Sequence, residues 1–417
     1  MKIFYCLILL GFQLSCQEKY SQKKLVKIDL EKSMKNIKPL NICDFKCDIN
    51  YLMLKNDSIK LKTIYLIDFS KELITVSDRA ICLLYDSQGN YISQIGNRGK
   101  GPGEYVQISN IMIGCGEKIF IQSGKKIIVY NLEGKFIREF VPEIHDKTNN
   151  IRSLSIFQDS LFIGQIPNYS GKEKYKAVIF NNQGKTIKLF HNKVFLNRKS
   201  DNVNSFDSQA TFYQFKGKSY FKEEMNDTLF LFNESNVVPT YIFNLGLYSQ
   251  PRSDRELDPI KMAERIDNYI FIEDIFENSS YMFLDCGFNN HSPAKRSKPV
   301  IIHGIEDWYY TTKVLGLYDK ESQMLWFSEP KKLDNRILNT GLYNDYDGGP
   351  SFYPKKMAND STMAMWIDAY LVKEHVTSEA FKISTPKYPE KKKELVQLAN
   401  SLDENDNPVL MMVKLKD

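Results

Sequence analysis

Histidine is scarce in this chain, and its five copies, His145, His191, His291, His303 and His375, stand at no H-x-x-x-H spacing and beside no cysteine pair. A local metal centre needs imidazoles one helical turn apart or thiolates within reach, so none is assigned, and with no cofactor motif none is expected. G-x-S-x-G, H-E-x-x-H and any ordered triad are also missing, and no catalytic residue is named. Charge of one sign is lacking too: 56 Lys+Arg against 51 Asp+Glu leave +5 over 417 residues, with no single-sign block longer than Lys391–Lys393. That balance is too small and too dispersed for a nucleic-acid partner.

What the chain has is aromatics, 26 Phe and 24 Tyr, which suit pleated, half-buried surfaces. It also has an internal repeat. "ELITVSDRAICLLYDSQGNYISQI" from Glu72 aligns without a gap to "EKIFIQSGKKIIVYNLEGKFIREF" from Glu117, an offset of 45 residues. Tyr85, Asp86 and Gly89 fall opposite Tyr130, Asn131 and Gly134, and a third copy, Tyr175 to Phe190, places Asn181 and Gly184 in the same slots. Weaker echoes begin at Asp227 and Lys313, where Ser322 replaces the glycine. Asp or Asn opens a type I turn and Gly, three positions on, takes the left-handed conformation that closes a hairpin. One hairpin cannot bury its faces, but stacked copies can, and a period of 40 to 50 residues with strand-like alternation is the mark of β-propeller blades. An open β-solenoid is the second architecture with that pattern. Between the faint copies Leu257 to Ile270 reads as a short helix, with Ile260, Met262, Ile266 and Ile270 at helical spacing, and a second helix is read over Lys391 to Ser401.

The N-terminus is an export signal: one lysine, then an apolar stretch from Ile3 to Leu14 too short for a permanent span. Leu14-Ser15-Cys16 resembles the lipobox of bacterial lipoproteins, which implies acylation at Cys16; without that, the segment is an ordinary secretion signal. Residues 1–16 are thus read as signal, 17–24 as a polar tether and 25–417 as a single propeller domain. Of the five other cysteines, Cys43 and Cys47 are either a local disulfide or two free thiols, while Cys82, Cys115 and Cys286 read as small buried hydrophobes.

The lipobox-like start, "GNRGKGPGEY", "YNDYDGGPSFYPK" and the ending "LANSLDENDNPVLMMVKLK" together resemble the six-bladed β-propeller lipoproteins exported by certain Gram-negative bacteria. The resemblance implies an all-β, six-bladed propeller with a few short helices in its loops. It also implies ring closure by N- and C-terminal strands, for which "KLVKIDL" and "PVLMMVKL" are the candidate partners. The expected place is the outer membrane, facing the periplasm or the surface, with the lipid anchor as the membrane contact.

"QIGNRGKGPGEY", Gln94 to Tyr105, is not a phosphate loop, because strand and not helix follows it. Its glycines read as a turn between blades in which Arg98 and Glu104 satisfy the loop; the functional alternative has Arg98, Lys100, Glu104 and Tyr105 at the propeller's mouth, holding an anionic or sugar ligand. Asp345 and Asp347 make half of a calcium loop whose first position is occupied by Tyr343, which leaves turn formation as the favoured role. His303, with Glu306, Asp307 and Trp308 after it, reads as a strand-end histidine or a ligand contact. The functional expectation is a binding module for a glycan, a peptide or an outer-membrane uptake protein. The alternative is a polysaccharide lyase or hydrolase whose acid and base converge in the central funnel from Arg98, Glu104, His303, Asp345 and Asp347.

Overall fold

The computed structural model describes residues 25–416 apart from 56–58, 62, 115, 145–149, 159, 199–209, 224, 234–235, 293–299, 303–304, 308–312, 330, 334–335 and 339–340. At 259, 300–302, 305–307, 331–333 and 336–338 only the backbone is described. Six four-stranded antiparallel sheets stand in a ring, two of them widened by a fifth, parallel strand. Their innermost strands are Leu66–Phe69, Asn110–Gly114, Leu154–Phe157, Ala210–Phe215, Phe271–Glu277 and Lys356–Met357. Numbered in that order, these blades make a six-bladed β-propeller, all-β but for short helices in its loops.

The repeated hairpin performs as its residues dictate. Asp86 Oδ1 accepts from Gln88 N and Asn90 N at 2.8 and 2.9 Å, Asn131 Oδ1 accepts from Lys135 N at 2.8 Å, and Asn181 Oδ1 accepts from Lys185 N at 3.0 Å. Gly89, Gly134 and Gly184 sit at φ 78, 75 and 86°. These glycines also form the seam between blades: a Cβ on Gly134 would lie 1.9 Å from the Gln94 carbonyl oxygen of the blade before, and one on Gly89 2.2 Å from that of Met53. In blade five the turn holds an extra residue, and Gln323 at φ 57°, not Ser322, takes the left-handed position.

Closure uses a different N-terminal strand from the one expected. Val409–Leu415 pairs antiparallel with Cys47–Met53, from Cys47 opposite Leu415 to Met53 opposite Val409, and so completes blade six. The earlier segment, Val26–Asp29, instead lies parallel to Val237–Asn244 on the outside of blade four, and Ile37–Lys38 lies parallel to the outer strand of blade five. Both segments alternate apolar and polar residues, so pattern alone did not choose between them. From Val26 the chain thus runs as a strap over two outer edges before it becomes the third. Leu30 and Ile42 of the strap are fully buried. Each covered edge removes a row of open hydrogen-bonding groups.

At the axis the inner strands present bare edges, and side chains of neighbouring blades meet them. Asp68 Oδ2 accepts from Ile113 N at 2.9 Å, and Asn110 Nδ2 donates to Arg152 O at 3.2 Å. Ser153 Oγ donates to Ala210 O at 3.0 Å, and Thr211 Oγ1 to Glu273 O at 2.9 Å. Tyr353 OH donates to Asp285 Oδ1 at 2.6 Å, and Lys356 Nζ lies 3.8 Å from Asp68, where blade six returns to blade one. The ring is thus stitched by polar bonds inside and packed aromatics between sheets.

Helices are confined to connections. Pro259–Ile266 is capped by Asp258, which accepts from Lys261 N, and buries Met262 while Ile260 stays 75 % exposed; Ile270, buried, lies past its end. Ala369–Thr377, Glu379–Ile383 and Pro389–Ser401 pack together as one insertion in blade six around Val372, Phe381 and Leu395. The last of these was legible as Lys391 to Ser401; the first two were not.

Candidate functional site

The two ends of the ring differ. At one end, first and second strands, and third and fourth, are joined by tight turns such as those of Gly89 and Gly134. At the other end, among the described residues, lie the crossing 95–109 from blade one to blade two, the residues that leave blade two toward blade three, and the insertion 368–408. Loops free to vary on a rigid ring are where recognition residues collect.

At that end, between blades one, two and three and the start of blade four, opens a cavity of about 710 Å³. Its floor is polar and ordered. Gln122, 3 % exposed, donates from Nε2 to Ile151 O at 2.8 Å and accepts from Asn110 Nδ2 at 2.7 Å, and Ser123 Oγ accepts from Val106 N at 3.1 Å. Four basic side chains, Arg79, Lys100, Lys126 and Arg152, line it against one acid, Glu104. Lys126 is paired with Glu139 at 3.0 Å, whereas Arg79, Lys100 and Arg152 have no carboxylate partner among the described residues.

Arg79 is one of six described non-glycine residues held in the left-handed region, and the one among them that lines the cavity. It occupies the turn between the second and third strands of blade one at φ 72°, held by Ser77 Oγ, which accepts from its N–H at 2.9 Å, and by Ile108 N, which donates to its carbonyl at 2.9 Å. Its guanidinium lies 5.1 Å from the centre of the Tyr65 ring. The matching turn of blade two, at the repeat offset, carries Gly124 at φ 61° with no atom near its missing Cβ. An arginine thus sits where the local conformation favours glycine, and its place on the cavity separates it from the other left-handed turn residues. The aligned repeats already held this signal, a basic residue in a glycine slot, but it meant nothing until the turn was seen to open on the cavity.

The residues expected from sequence divide. Lys100 and Glu104 reach the cavity, although Glu104 also holds its own loop together, since its Oε2 accepts from Gly101 N at 2.8 Å and its carboxylate fills the space that a Cβ on Gly99 would enter. Arg98 is exposed and donates from Nε to Val106 O at 3.1 Å, which pins the loop. Tyr105 does not face the mouth. It is fully buried, donates to Ile95 O at 3.2 Å, and packs near Tyr130, whose hydroxyl donates to Gly103 O at 2.8 Å; burial pushes both phenols well above their ordinary range. Its apolar ring is worth more in the seam between blades one and two than in water.

Asp345 and Asp347 lie elsewhere, in the connection from blade five to blade six. Asp345 Oδ1 accepts from Cys43 N at 2.9 Å, fastening the N-terminal strap. Asp347, 2 % exposed, accepts from Asn344 Nδ2 at 2.7 Å, Gly349 N at 2.8 Å and Tyr51 OH at 3.3 Å, while burial pushes its carboxyl up. Both carboxylates are engaged by the turn and its neighbours, and neither joins Arg98 or Glu104. His303 lies outside the described residues, as do Cys16 and Cys115. Cys43 and Cys47 are free thiols, pushed by burial to about 12 and about 11. Cys82 and Cys286 are buried among apolar side chains.

A second polar group lies deeper on the axis. Lys313 Nζ bonds Glu273 and, at 2.9 Å, Asp285 Oδ2; burial raises the Glu273 carboxyl and the lysine partly offsets it. Asp274 is pushed up to about 6, chiefly by burial and further by Asp285, against Ile275 N–H, Lys356 and Thr211. Burial likewise raises Asp68 against the pull of Lys356. Glu273, Asp274, Asp285 and Lys313 come from blade five, while Asp68 and Lys356 come from blades one and six, so no spacing rule could assemble the whole group.

The profile of a domain of unknown function, DUF4934, matches residues 25–414. No curated protein matches the sequence. Among solved structures, a protein of Bacteroides fragilis described as exported superposes with a TM-score of 0.67 at 17 % identity, over 94 % of this chain and 100 % of that one. A member of the DUF4221 family from Bacteroides vulgatus gives a TM-score of 0.49 at 9 % identity, over 89 % and 97 %.

Proposed function

The chain belongs to the DUF4934 family, and on that premise we propose that it is an exported, lipid-anchored binding propeller that seats its ligand in the basic mouth of blades one to three. The observation that carries this reading is Arg79, held left-handed at the rim of a cavity large enough for a small oligomeric ligand. Catalysis gains no support from the aspartates first considered, since Asp345 holds the N-terminal strap at Cys43 N and Asp347 is engaged by its own turn.

Export follows from the apolar leader and accords with the description of the Bacteroides fragilis protein. Acylation at Cys16 and the polar tether of residues 17–24 would hold the ring close to the outer membrane, beside an uptake protein that receives the ligand. Substituting Cys16→Ser is expected to release the protein from the membrane fraction and to abolish incorporation of a labelled fatty acid.

The test of the mouth itself uses Gln107, exposed on the cavity wall. Gln107→Trp fills the opening without removing a bond that the structure shows. A glycan or peptide that binds the parent propeller should bind this variant at least tenfold more weakly. Equal affinity, or binding of no glycan or peptide on arrays, would move the site away from the mouth.

A further inference from the structure

Resting on the reading of the mouth as the binding site, we propose that its ligand is an acidic oligosaccharide, one that carries carboxylate or sulfate groups on successive or alternate sugar units. Three features of the cavity select it.

The first is charge without partners. Arg79 of blade one, Lys100 of the crossing to blade two and Arg152 at the entry to blade three are exposed and have no carboxylate partner among the described residues, while Lys126 of blade two is paired with Glu139. Borne on three separate elements around one opening, these cations suit a ligand that carries more than one anionic group. An extended polyanion reaches all of them. Its carboxylate or sulfate oxygens accept bidentate bonds from the two guanidiniums, which are planar and always charged.

The second is what the lining lacks. No tryptophan, tyrosine or phenylalanine lines the cavity among the described residues. A neutral sugar is commonly held against an aromatic face, and with no such platform the recognition falls to charge and hydrogen bonds.

The third separates sugar from peptide. An extended peptide would be taken by adding a strand to a free edge. Here the edges beside the cavity are already met by side chains: Asn110 donates to Arg152 O at 3.2 Å, and Ser153 donates to Ala210 O at 3.0 Å. What faces the opening besides the cations is the Gln107 amide and the hydroxyls of Ser109, Ser123 and Ser153; these hydroxyls already bond the protein once and keep further hydrogen-bonding capacity, which suits a ligand dense in hydroxyls.

The propeller, residues 25–417, would be titrated calorimetrically with a uronic-acid oligosaccharide, a sulfated oligosaccharide, a neutral glycan of equal length and a poly-glutamate peptide. Saturable binding of one or both acidic saccharides is expected, at least tenfold tighter than the neutral glycan and weakening as salt is raised. Arg152→Ala and Lys100→Ala, which remove exposed side chains, should each weaken it about tenfold or more while thermal unfolding is unchanged. The uronate and sulfate arms decide which anion is read. Neutral and acidic glycans bound alike and insensitive to both variants would overturn the anionic class, yet leave the mouth in place if Gln107→Trp still blocks. Poly-glutamate bound as tightly as the saccharides would overturn the sugar. Loss in neither the charge variants nor Gln107→Trp would sink the mouth itself.

Discussion

At the scale of single residues, Arg79 and Asp274 make opposite demands on the fold. Arg79 tolerates a backbone that glycine adopts without strain. Arg79→Gly should therefore leave stability unchanged or raise it by up to about 1 kcal/mol, while ligand affinity falls. Urea unfolding set beside calorimetric binding checks this; a loss of both would make Arg79 structural. Asp274 is a carboxyl whose folded value, about 6, lies above its unfolded one, so the folded state holds its proton more tightly. The contribution of Asp274 to stability then rises as pH falls from 7 through 6 toward the ordinary carboxylate range, the reverse of an ion-paired aspartate. Asp274→Asn keeps an acceptor for Ile275 N and should raise stability at pH 7.5 by roughly 1–2 kcal/mol, with little change near pH 4. The difference in denaturant midpoint between parent and Asp274→Asn across pH reads that contribution; a difference that does not change with pH would refute it. Sequence named Asp347 but could not know that Asn344, Gly349 and Tyr51 all bond its Oδ1. Likewise it named Tyr105, whose burial is set by Tyr130 of the next blade.

At the scale of the element, the hairpin was the legible unit. Its Asp/Asn and Gly slots follow from local turn chemistry, and the bonds of Asp86, Asn131 and Asn181 are those the residue types require. What the local reading missed is the second role of the glycine, its contact with the preceding blade. Gly134→Ala places a methyl group against the Gln94 carbonyl oxygen and into a left-handed backbone at once. A cost of about 2–4 kcal/mol is expected, against about 1 for the left-handed conformation alone. Gly124→Ala is the internal control, left-handed as well but with open space at its Cβ. Equal costs at the two sites would refute the seam. The strap is a second element with a measurable role: Leu30 is fully buried against blades four and five, and Leu30→Ala should cost roughly 2–5 kcal/mol in chemical unfolding.

For the whole molecule, closure decides cooperativity. Blade six takes its outer strand, Cys47–Met53, from the front of the chain and its neighbour, Val409–Leu415, from the end. Deleting residues 409–417 leaves Thr362–Ile367 and Cys47–Met53 each without the partner between them. The unfolding transition should broaden and proteolysis should begin at the opened blade; a transition as sharp as the parent's would mean the ring holds without its clasp.

By itself the sequence determined what depends on near neighbours along the chain: the strands, the turns, the 45-residue period and hence the stacked blades, because hydrophobic alternation and turn chemistry act within a few residues. Tertiary structure alone decided which N-terminal strand closes the ring, since Val26–Asp29 and Cys47–Met53 both offer an apolar face and only the geometry of the circle tells them apart. It alone decided the site as well. Arg79, Lys100 and Arg152 become one basic rim, and Asp68, Asp274 and Lys356 one axial group, only when the circle brings separate blades together, and burial then sets the charge each group can carry.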